Sequence, residues 1–354
     1  MLRLRACLGA GLLMVALFVT AGSARAATNV PCDPGALKAA ITAANTAGGG
    51  TLTLASGCTY TLTTADNDGN GLPVITTPIT LNGGGATITR SSASSFRIFE
   101  VDPPQGNLTL NNVTVSNGHS AGPPPNGNGG GIWLNNGGAL TLSSATVAGN
   151  SADNNGGGIS NDGGTVTLNS SALINNTAGQ DGGGLSNGGS ASLSSSTTAS
   201  NSAGSTGGGI SNFGGLTLPS STISGNTSSL GGGLANIAGG STTMPSTTIS
   251  GNTATGSVPA GAGILNTNTL NINNSAIVNN RATGTGSQAG GLFNQGSSAN
   301  ATLTSTTVSG NTANAAPGGI DNDLGTVTLT SNSITGNTPT NCAGSPTPVP
   351  GCTG

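Results

Sequence analysis

The residues able to do chemistry are few and lie mostly in the first half of the chain. His119 is the single histidine, and upstream of it stand Arg97, Glu100 and Asp102. Two neighbouring carboxyl groups can divide the acid and base roles of glycoside hydrolysis. The flanking residues argue against that here. Asp102 precedes Pro103-Pro104 and His119 precedes Ser120-Ala121-Gly122, the make-up of solvated loop edges. Asp321 and Asp323 alternate on one strand face, with no basic residue near them in sequence. Serine is abundant, yet one histidine leaves little material for a hydrolytic triad. The reading is of no catalytic residues.

The run Asp66-Asn67-Asp68-Gly69-Asn70-Gly71 opens like a D-x-D-x-N-G calcium loop. Its twelfth position is Thr77 rather than Glu, so a polar turn is expected, with no metal and no cofactor. After Cys7 in the leader, four cysteines remain: Cys32, Cys58, Cys342 and Cys352. Three pairings are possible. The local one, Cys32 with Cys58 and Cys342 with Cys352, closes one loop near each end, and no nearby His suggests zinc. Trp133 and Tyr60 are the only Trp and Tyr, which leaves little for an aromatic sugar platform. Phe213 and Phe293 read as turn packing. Outward threonines such as Thr141, Thr167 and Thr217 suggest an ice-binding row, but Ser192 and Asn271 interrupt it.

The elements that position these residues follow from a repeat. One unit reads G-G-[IL]-x-N, then L-T-L, then [VIL]-x-x-N, as in Gly208-Gly209-Ile210-Ser211-Asn212, Leu216-Thr217-Leu218 and Ile223-Ser224-Gly225-Asn226. The final Asn recurs as Asn150, Asn176, Asn201, Asn226, Asn252, Asn280, Asn311 and Asn337. L-T-L has the period of a strand, with its leucines on one face and Thr on the other. A coil this short cannot bury its own apolar residues, whereas stacked coils bury them as ladders. The sequence therefore predicts an all-β right-handed parallel β-helix (a solenoid) of about nine coils, with three short strands in each. The recurrent Asn should occupy an αL bend and hydrogen-bond to its equivalent one coil away. The glycine pairs should form tight corners.

Residues 1–26 read as a signal peptide: Arg3 and Arg5, an apolar run, then Ala24-Arg25-Ala26. Residues 27–129 form an N-terminal cap and the first coils. Asp33-Pro34 starts a capping helix over 36–44, and strand-like runs follow at 51–54, 60–63, 79–81, 87–89 and 97–101. The repetitive β-helix spans 130–340. A Pro-rich, Cys-containing tail, 341–354, should not continue a sheet. Cleavage of the leader leaves four basic against ten acidic residues, a formal charge of −6, so nucleic acid is not an expected partner. No later stretch has the length of a membrane span.

The paired G-G-[IL] and [VIL]-x-x-N motifs over about 130–338 resemble the repeats of polymorphic outer membrane proteins, which read G-G-A-I and F-x-x-N. Ile or Val replaces Phe here, as at Ile223, and no C-terminal barrel follows. The segment from Cys32 to Ile41 is similar to the capping segment of bacterial secreted β-helices. The resemblance implies a pectate-lyase-like fold and a surface or adhesion role. It also admits polysaccharide cleavage, which in that superfamily draws on clustered Asp with His and basic residues, or on calcium with an Arg or Lys base. With one His and no Lys after Lys38, those parts are thin. The expectation is thus a secreted or cell-surface-associated, non-catalytic protein, structural or adhesin-like. The alternative is a polysaccharide lyase or glycoside hydrolase with a divergent site. A cell-surface or polysaccharide partner would meet the variable loops 253–263 and 281–291, because insertions in a solenoid collect on one face.

Overall fold

The computed structural model describes residues 27–257 and 260–354; the signal peptide assigned to 1–26, and Val258 and Pro259 of one variable loop, lie outside the described residues. The chain winds as a parallel β-solenoid of about 11 turns, right-handed in type. It has more turns than the repeat suggested, because 27–129 contributes coils without the motif. Leu52, Leu81, Leu110 and Leu142 stack in one file through that region, with the same inward period.

Three sheets run along the solenoid, but most repetitive coils contribute four strands rather than three. One coil holds Ala139–Ser143, Thr146–Ala148, Ser151–Ala152 and Ile159–Asn161. The first two share a sheet across a bend, where Ser144 has φ 51°. A second bend precedes the recurrent Asn, and here the expected geometry is corrected. The αL residue is the one before it, such as Gly149 (φ 63°) or Asn175 (φ 56°), and no ladder Asn has a positive φ. This leaves the backbone N–H and the amide of the Asn free to reach the next coil together.

The ends are closed differently. Asp33 caps the helix Pro34–Thr46 by accepting from Ala36 N at 2.7 Å, with Pro34 in the first turn, where a missing N–H costs nothing. Leu37, Ile41 and Ala44 of this helix are buried, and Leu37 and Ile41 are fully so. Cys32–Cys58 ties the same end and Cys342–Cys352 the other. The Pro-rich tail packs Cys342 and Val349 against the core. It also lies along the last coil, with Thr347 N donating to Asn322 O at 2.9 Å.

Candidate functional site

Arg97 lies just ahead of the strand Phe99–Val101, which opens the nine-stranded sheet. It is 2% exposed. Its Nη1 donates to Asn70 Oδ1 at 2.9 Å and to Glu100 Oε2 at 3.3 Å, its Nη2 to Asn126 O at 2.7 Å, and its Nε to Asn128 O at 3.3 Å. The guanidinium stacks 4.7 Å from the Trp133 ring. Trp133 Nε1 in turn donates to Asp162 Oδ2 at 2.7 Å. Burial lowers the Arg97 pKa, opposed by Glu100, Asp162 and Asp102. Burial likewise raises Glu100, opposed by Asn70 and Arg97, with Asp102 adding to the rise. Arg97, Glu100 and Asp102 therefore do gather. They bond to one another, to Asn70 and to Asn135, which donates to Asp102 Oδ1 at 3.2 Å.

His119 belongs to a different cluster. Its Nδ1 lies 3.2 Å from Ser95 Oγ and its Nε2 lies 3.4 Å from Asp153 Oδ1, while Asp153 Oδ2 accepts from Gly122 N at 3.0 Å. This is a hydroxyl–imidazole–carboxylate chain, which sequence reading missed because Asp153 sits one coil further on. Both contacts are long, and the Asp153 side chain is 51% exposed, so the pair is screened by solvent. The chain holds His119 and Ser95 in place. Beside it opens a cavity of about 300 Å³, lined by Asp68, Ser95, Phe96, Arg97, Ser120 and Asn126 among others.

The calcium-like loop does not gather its oxygens. Asp66 pairs with Lys38 at 3.7 Å, and Asn70 turns inward to Arg97 and Glu100. Among the described residues no three His, Cys, Asp or Glu side chains converge.

The recurrent asparagines form a continuous internal ladder. From Asn150 through Asn176, Asn201, Asn226, Asn252, Asn280, Asn311 and Asn337, each Nδ2 donates to the next Oδ1 at 2.9–3.0 Å. Asn341 receives the last of these bonds. Each Oδ1 also accepts the preceding Asn backbone N–H, as from Asn176 to Asn201 at 2.9 Å. The second Nδ2 proton goes to a strand carbonyl, as from Asn201 to Leu173 O. The amide is thus fully satisfied although buried. Gly158 explains why G-G and Asn travel together, since a methyl there would press on the Asn176 amide.

A second ladder, unforeseen, uses the Asn of G-G-[IL]-x-N. Asn161, Asn187, Asn212, Asn236, Asn266, Asn294 and Asn322 are joined Nδ2 to Oδ1 at 2.7–2.9 Å. Its signal was present, because an Asn two residues after an inward Ile or Leu must itself point inward.

The variable loops fold back on the solenoid. Thr255 N donates to Ser228 O and Thr283 N to Ala254 O, both within 2.9 Å. Leu230, Ala235, Leu265, Ala289 and Phe293 make a small core outside the main one, so Phe293 packs outward. The threonine face bears a shallow depression of about 330 Å³ where Gly215 interrupts a row of side chains, and nothing titratable lines it. No helix among the described residues is long and apolar enough to cross a membrane, which says nothing of β-barrels. A scan against protein-family models finds no match to this chain, and a search of curated proteins finds none either.

Proposed function

We propose that this protein is a secreted or cell-surface-associated, non-catalytic rod, structural or adhesin-like, which holds a ridge of loops towards a cell-surface or polysaccharide partner. One observation carries the reading: the two amide ladders run unbroken through the repetitive coils and lock the backbone beneath the loops. Fixed side-chain networks favour a single rigid arrangement, which is what a presenting scaffold needs. The loops stack on one another over their own small core, so they form a ridge rather than separate flaps. Arg281 and Thr285 are exposed on it.

The test is attachment of the purified protein to cells or to immobilised polysaccharide, with Arg281→Glu combined with Thr285→Glu. Loss of attachment with unchanged thermal unfolding supports the ridge. Undiminished attachment would discard it as the binding face. The competing reading, a lyase or hydrolase with a divergent site, rests on the proximity of Glu100 to Asp102 beside Arg97. Cleavage of pectin or alginate that disappears in Asp102→Ala would replace the non-catalytic reading.

A further inference from the structure

We infer that the cavity beside Arg97 is a binding site for a single neutral sugar ring. Its place follows from the fold. The seven-stranded sheet begins at His119–Ser120, so no earlier coil of that sheet fills the space on the N-terminal side of this strand. Phe96, which bridges to His119, and the turn carrying Asp68 and Gly69 wall it instead.

The wall chemistry is mixed, as vicinal hydroxyls require. Ser120 is 2% exposed and lines the cavity, and its Oγ has no hydrogen-bond partner among the described residues. A buried hydroxyl without a partner costs free energy until something supplies one. Arg97 is equally buried, and one of its Nη2 protons is unassigned after the bond to Asn126 O. Ser95 is held at the edge through His119. Asp68 is exposed, has no ion-pair partner among the described residues, and supplies the acceptor that a pair of hydroxyls can meet in bidentate fashion.

Charge narrows the ligand class. The positive charge of Arg97 is balanced by Glu100 at 3.3 Å, and the free carboxylate of Asp68 opposes any acidic group. The site therefore disfavours uronic acids, sulfates and phosphates. Its volume, about 300 Å³, is at the small end of ligand pockets, which suits one ring rather than a chain. Attachment through the loop ridge is a separate matter, and either idea can fail without the other.

Trp133, the only tryptophan, lies behind Arg97 and provides a local reporter. The full protein is titrated with the methyl glycosides of glucose, galactose, mannose and N-acetylglucosamine, and with galacturonic acid, while the emission of Trp133 is followed. A saturable change is expected with at least one neutral glycoside, with a Kd on the order of 1 mM. Asp68→Asn and Ser120→Ala should each weaken it roughly tenfold, and Asp68→Asn should improve galacturonic acid relative to the neutral sugars. Asp68 is exposed, so its variant keeps the test valid if Ser120→Ala fails to fold. No saturable change with any neutral glycoside, or saturation unaltered by Asp68→Asn, would overturn the assignment.

Discussion

Val101 and Leu134 occupy the file that Asn161 and its successors fill further along, in unbroken parallel register. The early coils thus fill an inward position with hydrocarbon, and the repetitive coils fill the same position with amides. The early coils also hold Tyr60, Phe96 and Phe99 in the core, together with the buried pair of Arg97 and Glu100. After Asp181 the only charged residues are Arg281, Asp321 and Asp323. The difference teaches how one backbone path is stabilised in two ways. A buried amide needs an amide partner at the same place in the next coil, so it suits a run of coils that repeat that place, however long the loops between. Apolar and ionic packing makes no such demand on its neighbours, and the early coils, whose side chains differ from one coil to the next, leave room for a cavity.

The largest expected effect breaks the ionic side of this comparison. Arg97→Met strands Glu100 and two loop carbonyls and should cost about 4 kcal/mol in urea unfolding, because an unpaired buried charge is left behind. Changing Glu100 to Leu in the same chain should recover much of that loss. If the double variant is as unstable as the single one, the pair is not the source of the cost.

The amide side should break more locally. Asn226→Ala removes the acceptor of Asn201 Nδ2 and of its backbone N–H, so a loss of about 3 kcal/mol is expected. Asn212→Leu, which imposes the filling of Leu134 within the second ladder, should cost a similar amount. Leu134→Asn removes a fully buried leucine and sets the new Oδ1 against Val101 without a donor, so it should cost about 3 kcal/mol as well. A neutral Asn226→Ala would show that the ladder does not act as a chain of mutual partners.

The smallest effect concerns Asp321, a carboxylate in the last coil. It is fully buried with neither oxygen hydrogen-bonded among the described residues, and Ser345 beside it spends its proton on Ile320 O. Burial pushes its pKa up to about 6, with Asp323 adding to the rise and Ser345 opposing it. The folded value thus exceeds that of an exposed Asp, ~3.9. The stability contributed by protonation is complete below pH ~4 and is lost as pH rises through about 6. Asp321→Asn should flatten the stability profile across this window and gain about 2 kcal/mol at pH 7. An unchanged slope would place the pH dependence elsewhere.

The strict repeat made the coil legible in the sequence, because L-T-L fixes inward and outward faces and the offset to Asn stacks like on like. Local chemistry also foretold the helix, through Asp33-Pro34, and the end-by-end pairing of the cysteines matches the two bonds formed. Other features had no local trace. The four strands per coil depend on an αL Ser at a bend that the pattern does not mark. The joining of Ser95, His119 and Asp153, and of Asn70, Arg97, Trp133 and Asp162, crosses coils of unequal length. Register there is set by stacking and not by spacing along the chain. The sequence by itself determined which residues face inward, since strand periodicity is local. Only the tertiary structure decided which inward and edge groups meet, because that depends on how many residues each coil spends before it returns to the sheet.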